Sequence, residues 1–230
     1  MKFLGKLSLG TLLLTGLYCG AFAANISVSP LIVNFTKADQ HIQNIRVFNI
    51  GDDKAYVRIA TSLVKAPGAK NSTNVDIKNP RELGILVSPK KMVIPVGQSR
   101  LVRILLTKPV DNDERIYQIK IFPTVGDIHA NSNGVKVLIG YGVRVVVRPN
   151  DPQPNILITR NGKQITAINK GNTNAILYDG KQCNAAGNAC KDLPSHRLFA
   201  GNIWEFTAPY SSPVKFSQNF LGKKSEIASK

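Results

Sequence analysis

The feature that most constrains this chain is a succession of short runs rich in valine, isoleucine and aromatic residues, each bounded by turn residues such as Gly51-Asp52-Asp53. Polar and apolar residues alternate along many of these runs, which predicts β-strands. No segment has the apolar periodicity of an amphipathic helix. The predicted fold class is therefore all-β. The predicted strands are 26–35, 43–49, 55–63, 91–94, 99–106, 116–123, 135–148, 156–160, 164–169, 175–179 and 202–206.

The spacing of the strands predicts two domains. Those between residues 26 and 148 suffice for one immunoglobulin-like sandwich. Three prolines follow in the segment 148–154, and proline has no N–H to donate to a strand ladder. We therefore predict a first domain over residues 24–149 and a smaller β-sandwich over 150–230. Within the second domain, Asn161-Gly162 predicts a hairpin turn.

The N-terminus predicts a signal peptide over residues 1–23. Lys2 and Lys6 supply positive charge, residues 7–18 form an apolar run, and Ala21-Phe22-Ala23 is a cleavage site. The alternative is a membrane anchor, but the run is shorter than the ~20 residues that span a bilayer. No other long apolar stretch is present in the sequence. We therefore expect export, without membrane insertion of the mature chain.

Removal of the signal peptide leaves two cysteines, Cys183 and Cys190. In an exported protein this pair predicts a structural disulfide that closes a short loop. The spacing does not fit a Cys-x-x-Cys redox motif. Three histidines, His41, His129 and His196, lie far apart in the sequence. We therefore expect no metal site.

Composition and motifs restrict the class of function. A hydrophobic fraction of 43% with 19% charged residues is typical of a globular chain. The formal net charge of +16 predicts attraction to acidic partners. The basic residues are scattered rather than clustered with stacking aromatics, so we expect no nucleic-acid binding. The sequence lacks a nucleophile elbow, a zinc-protease motif and a phosphate loop, so we expect neither catalysis nor a cofactor.

The strand predicted near the end of the first domain is unusually long. Val135, Val137, Ile139 and Tyr141 lie on one face of it, together with Val143. Strands usually have about 5 to 6 residues, so part of this one would extend past its neighbours and expose an apolar edge. Such an edge can add to the sheet of another chain. The alternative is a long central strand that is paired on both sides.

The order of several short motifs resembles the periplasmic pilus chaperones of the PapD-like family, in a short-loop or divergent branch. The resemblance covers nearly all of the chain after the signal peptide. The motifs are the Pro-Val-Gly turn and following strand at 95–104, the segment 113–117, the strand end and proline at 145–149, the hairpin pattern at 165–169 and the Ala-Gly turn at 200–201.

This resemblance implies two sandwiches that meet at an angle, as in a boomerang, and a chaperone that works in the periplasm. It implies that the chain binds pilus subunits by donor-strand complementation and delivers them to an outer-membrane usher. It gives the donor role to Val135, Val137, Ile139 and Tyr141. Self-association of the free chain through this exposed strand stays open.

The resemblance also implies particular roles for charged residues. Arg144 matches a basic residue that anchors the subunit's C-terminal carboxylate, whereas the family's second anchor, an arginine, is replaced by Ile32. Arg148 and Glu114 match an ion pair at the domain junction. The alternative function is a secreted two-domain adhesin or binding protein, which would share the sandwiches and the signal. A pilus subunit is less well supported, because its usual single domain is shorter than this chain.

Overall fold

The computed structural model describes residues 26–37, 41–124 and 138–229. Over these residues the chain forms β-strands and one short helix, and the all-β prediction is confirmed. The predicted signal peptide at 1–23 lies outside the described residues, as do Val135 and Val137. The structure has no helix, within the described ranges, that is long and apolar enough to cross a membrane.

The first half of the chain forms two sheets that pack face to face. The elements are β1 (Ile26–Ser29), β2 (Ile32–Phe35), β3 (Ile42–Asn49), β4 (Ala55–Lys65), β5 (Thr73–Val75), α1 (Pro80–Leu83), β6 (Ile85–Ser88), β7 (Lys91–Ile94), β8 (Ser99–Leu106), β9 (Arg115–Thr124) and β10 (Tyr141–Val147). One sheet has the order β1-β3-β8-β6. The other has the order β2-β10-β9-β4-β5, with β7 also paired to β4.

A core of alternating inward side chains joins these two sheets. Ile45 and Ile104 from the first sheet and Ile119 and Val145 from the second are fully excluded from solvent. Tyr117 is also buried, and its hydroxyl donates a hydrogen bond to the carbonyl of Leu83 at 2.9 Å. The alternation seen in the sequence therefore marks the faces that build an aligned sandwich.

The strand predicted over residues 26–35 is in fact two strands in opposite sheets. β1 pairs antiparallel with β3, whereas β2 pairs parallel with β10. Pro30 lies between them and cannot donate to a ladder, so the chain leaves one sheet and enters the other at this point. The crossing places Ile32 beside Arg144 in the register of β2 and β10.

The second half of the chain forms two further sheets. The strands are β11 (Ile156–Asn161), β12 (Gln164–Asn169), β13 (Ala175–Cys183), β14 (Cys190–Leu193), β15 (His196–Leu198), β16 (Ile203–Thr207), β17 (Lys215–Phe220) and β18 (Lys223–Ala228). The sheet orders are β11-β12-β16 and β14-β13-β17-β18, with β15 also paired to β13. A second hydrophobic core lies between them and includes Ile165, Leu177 and Phe216. The two-domain sandwich fold is thus confirmed, whereas the exact boundary at residue 149 stays a prediction.

The predicted disulfide is confirmed. Cys183 and Cys190 are bonded, and they are also direct register partners at the end of the β13–β14 hairpin. The Asn184 side chain accepts hydrogen bonds from the backbone N–H groups of Asn188 and Ala189 inside the closed loop. A small domain buries little apolar surface, so the disulfide adds stability that its core alone does not supply.

Several elements were not predicted from the sequence. One of them is β18, which pairs along its whole length with β17. β18 is an edge strand with mostly exposed, polar residues, which hides the alternation of a strand. The other unpredicted elements are β5, α1, β6, β14, β15 and β17.

Candidate functional site at the domain junction

The described part of the candidate donor strand, β10, is paired differently along its two halves. Its register with β9 runs from Tyr141 to Val147, whereas its register with β2 begins only at Arg144. Among the described residues, no strand pairs with residues 141–143 on the side where β2 would continue. Among the strands that the structure describes, β10 is therefore central from Arg144 onward, and residues 141–143 are paired on one side only.

The strand was predicted to span residues 135–148, but β10 begins at Tyr141. Residues 138–140 precede it without strand pairing, although Gly140 still runs close to β9, where an added Cβ would lie 2.9 Å from the Cβ of Phe122. Glycine contributes no side chain to a sheet, so Gly140 and Gly142 weaken the start of this strand. The predicted strand was therefore too long at its N-terminal end, because residues 138–140 are not part of β10.

The apolar side chains on this segment pass from exposed to buried along the chain. Ile139 is 58% exposed, Tyr141 is partly buried against the first core, and Val143 is fully buried. Val135 and Val137, which the sequence placed on the same face, lie outside the described residues. A large aliphatic side chain is thus presented to solvent beside a backbone edge that none of the described strands covers.

Arg144 stands on the outer face of the sheet, in register with Ile32 on one side and Gln118 on the other. Its guanidinium lies over the ring of Phe199, 5.7 Å from the centroid, which is a cation–π contact with the second domain. The ion pairs formed among the described residues do not include Arg144. Its charge is therefore available to an anion from outside the chain.

Arg148 and Glu114 lie together at the junction. Arg148 Nη1 lies 3.8 Å from Glu114 Oε2, and the two side chains are 5% and 3% exposed. Burial lowers the pKa of Arg148, and the charge of Glu114 opposes that shift. An arginine stays protonated in proteins, so Arg148 carries a full positive charge in this buried pair.

Two residues of the second domain, Thr173 and Asn174, connect the charges. The Thr173 hydroxyl accepts a hydrogen bond from Arg148 Nη1 at 2.6 Å and donates one to Glu114 Oε2 at 3.0 Å. Asn174 donates to the same carboxylate oxygen through its backbone N–H at 3.0 Å and its amide at 2.6 Å. Sequence reasoning missed both residues, because a neutral side chain in a turn gives no signal of a partner far away in the sequence.

Apolar contacts also cross the junction. Phe199 packs with Ile116 and Val146 of the first domain in a small buried cluster. The backbone of Gly68 approaches Phe199 closely, and Asn202 Nδ2 donates to the carbonyl of Pro67 at 2.8 Å. The two domains therefore meet through a dry cluster and a hydrogen-bonded ionic cluster that lie side by side.

A cleft of about 270 Å³ opens beside these contacts. Its walls carry Ile32 and Asn34 from β2, Arg148 from the end of the first domain, and Arg197 from β15. Arg197 was not identified from the sequence, where it is one of many scattered basic residues. The cleft thus combines an apolar side chain with two guanidinium groups from different domains.

Comparison with known proteins gives relatives at the level of sequence, although no family model matches the chain. A CFA/I fimbrial subunit of Escherichia coli is 25% identical over 171 residues, which cover 71% of this chain and 70% of that protein. A CS1 fimbrial subunit of Escherichia coli is 26% identical over 167 residues, with 70% and 69% covered. Both relatives are thus named as components of fimbriae.

Solved structures give a closer match in three dimensions. The class 5 fimbriae chaperone CfaA superposes with a TM-score of 0.70 at 21% identity, covering 89% of this chain and 97% of that one. The chain has the fold of the fimbrial chaperones. A chain of a chaperone–tip adhesin complex of CFA/I fimbriae biogenesis gives a TM-score of 0.66 at 21% identity, and the Escherichia coli chaperone DraB gives 0.62 at 14%. These two matches cover 90% and 92% of this chain, so the fimbrial-chaperone fold includes both domains.

Proposed function

We propose that this chain is a periplasmic chaperone that binds and stabilises pilus subunits by donor-strand complementation and delivers them to an outer-membrane usher. The observation that carries the proposal is the half-open strand β10. In a chain with the fimbrial-chaperone fold, an exposed apolar side chain and an open backbone edge lie next to an arginine without a carboxylate partner among the described residues. These are the features that a strand-lending chaperone needs.

Strand donation explains the open edge at residues 141–143. Backbone hydrogen bonds from a lent strand give affinity that does not depend on the client's side chains. Ile139, with Val135 and Val137 before it, would supply alternating apolar side chains to the open core of the subunit. Burial of such a side chain stabilises a complex by about 1.5 to 3 kcal/mol before ordering costs.

Arg144 would hold the C-terminal carboxylate of the subunit. An arginine can bind a carboxylate through two parallel hydrogen bonds, which fixes position as well as charge. A fixed carboxylate would set the register between this segment and its client, because the anchor and the apolar residues lie close together in the chain. The Arg148–Glu114 pair would hold the two domains in a constant orientation around this cleft.

The alternatives are a secreted adhesin and a pilus subunit. An adhesin would share the two sandwiches and the predicted export, but it would not need an arginine beside an open apolar edge. The names of the two sequence relatives, which are both fimbrial subunits, favour the pilus-subunit alternative. The similarity of both domains to chaperone structures favours the chaperone. Under this proposal the chain acts by binding rather than by catalysis, and its predicted signal peptide delivers it to the periplasm.

Hydrogen exchange would test the proposal directly. The probe is the complex of the full chain with the fimbrial subunit encoded beside its gene. Strand addition would slow exchange of the amides in residues 138–143 while leaving those of β14, whose residues do not line the cleft, unchanged, because new ladder bonds form only along residues 138–143. Binding without protection at 138–143 would contradict strand donation, and failure of the pair to bind would contradict the chaperone function itself.

A further inference from the structure

The charges at the domain junction do not balance. Three guanidinium groups meet there, from Arg144, Arg148 and Arg197, whereas Glu114 is the carboxylate that the described structure brings to them. One of its oxygens, Oε2, is near Arg148 and accepts three hydrogen bonds from Thr173 and Asn174. The junction therefore keeps an excess of positive charge after its internal pair is satisfied.

Arg197 is held in place by a neutral partner. Its Nη1 donates to Asn174 Oδ1 at 2.5 Å, and the described residues place no carboxylate within 4.0 Å of it. Burial lowers the pKa of Arg197, and the positive charge of Arg144 lowers it further. Two guanidinium groups in a partly buried site repel each other. An anion bound between them removes this repulsion, so the pair attracts an anion strongly.

Arg197 supplies a positive charge near Ile32, the position at which the expected first-strand cation is missing. Ile32 and Arg197 line the same cleft, and Ile32 is the register partner of Arg144. Asn174 orients Arg197 through one nitrogen only, so the remaining donors of its planar fork stay available within the described structure. The cation that the first domain lacks on β2 is thus present in the same cleft, on β15 of the second domain.

We propose that Arg197 and Arg144 together bind the C-terminal carboxylate of the pilus subunit, so that the anchor is built from both domains. This inference rests on the proposed chaperone function. It assigns to the second domain a direct part in client binding. It also makes the orientation of the domains a determinant of affinity, because the two cations reach one carboxylate only while Asn174 and Phe199 hold the junction closed.

The test is a double-mutant cycle on the complex with the neighbouring subunit. The chaperone is wild type, Arg197→Gln, Arg197→Lys or the matched control Lys191→Gln, which removes an exposed charge from β14 of the same domain. The subunit carries either its natural C-terminus or two added glycines, which displace the carboxylate. The measurement is the dissociation constant of each pair at low ionic strength.

We expect Arg197→Gln to weaken binding of the natural subunit roughly tenfold to a hundredfold, since a charge-assisted hydrogen bond is lost. Arg197→Lys should keep part of the affinity, and Lys191→Gln should change it less than threefold, a small effect typical of an exposed charge. The extended subunit should bind wild type and Arg197→Gln equally.

Two outcomes would overturn the inference. An equal loss for both subunits would show that Arg197 acts only through the structure of the junction, and no loss for either would show that it has no part in binding. In both cases the wild-type complex still forms and the proposed function stands. If wild type binds neither subunit, the proposed function itself fails.

Discussion

Arg148 and Glu114 form a buried ion pair at the domain junction, where both residues contact the second domain. Their charged atoms are 3.8 Å apart, and the hydroxyl of Thr173 is hydrogen-bonded to both. A buried pair contributes little by comparison with apolar packing, but loss of one partner leaves an uncompensated charge away from water. The pair therefore makes the junction sensitive to single substitutions.

We expect Glu114→Gln to lower the free energy of unfolding by about 3 to 5 kcal/mol, because Arg148 stays buried without its counter-charge. Urea denaturation at neutral pH measures the change. The matched control is Asp111→Asn, which breaks the Arg115–Asp111 pair, whose aspartate is 63% exposed. That pair should contribute about 1 kcal/mol or less. Equal effects of the two substitutions would contradict a special role for the junction pair.

His196 should make the second domain less stable in mild acid. Its ring stacks on Trp204 with centroids 4.6 Å apart, and burial lowers its pKa below the usual 6.5. The unfolded chain then binds a proton more readily than the folded one, so this contribution to stability is complete above pH 6.5 and is lost as the pH falls through the lower folded value.

Urea midpoints at several pH values between 8 and 5 measure this effect, with His196→Gln as the variant that lacks the group. The difference between wild type and His196→Gln should shrink as the pH falls. His41→Asn is the control, because His41 is exposed and has a positive φ that asparagine tolerates. A difference that stays constant with pH would contradict a neutral, partly buried His196 in the folded chain.

The disulfide should contribute a moderate, local stabilisation. Cys183→Ser with Cys190→Ser opens a short loop, and the loop-entropy relation gives a loss of about 2 kcal/mol for a closure of this size. The measurement is the urea midpoint of the double variant, compared with reduced and oxidised wild type. Reduced wild type should behave as the double variant does. A much larger loss in the variant would mean that the serines disturb the hairpin by another route.

Gly171 should not tolerate a side chain. An added Cβ would lie 2.0 Å from the carbonyl oxygen of Gln153 and 2.6 Å from the backbone nitrogen of Asn155. Asn169 Oδ1 accepts hydrogen bonds from the backbone of both Asn155 and Gly171, so this linker backbone is fixed against β12 and cannot move aside cheaply. We expect Gly171→Ala to lower the free energy of unfolding by about 1 to 3 kcal/mol or more.

Gly187→Ala is the matched control for Gly171→Ala. No atom lies within 4 Å of the Cβ position at Gly187, so its cost should be limited to about 1 kcal/mol for a left-handed φ of 72°. Urea denaturation of both variants gives the comparison. If Gly171→Ala costs no more than Gly187→Ala, the linker is looser than the structure indicates.

The sequence was sufficient to predict the bounds of strands that are amphipathic and lie between turns. β7, β8 and β12 begin and end at the predicted residues. It was not sufficient where a strand is charged and lies at an edge, as β18 does, or where one run crosses between sheets, as it does at Pro30. In those places the pairing partner, rather than the local pattern, decides the structure.

Some residues of the candidate site could be predicted from the sequence and others could not. Arg144, Arg148 and Glu114 could be identified because motifs along the chain mark them. Thr173, Asn174 and Arg197 could not, because their roles depend on which surfaces the two domains turn toward each other. Thr173 and Asn174 precede β13 and Arg197 lies on β15, and only the folded chain brings them to the domain junction, where Asn174 and Arg197 line the cleft beside Ile32.

The most direct test of strand donation is co-purification of the chain with the fimbrial subunit encoded beside its gene, after co-expression in the periplasm. Wild type is compared with Ile139→Asp and Arg144→Ala, and with Ile203→Asp as the control. Ile203 is 59% exposed, almost the same as Ile139 at 58%, but it lies on β16 of the second domain. We predict a soluble 1:1 complex with wild type and Ile203→Asp, and at least tenfold less subunit recovered with folded Ile139→Asp and Arg144→Ala. Recovery of wild-type amounts of the subunit with both of these variants, or with no chaperone at all, would contradict the account.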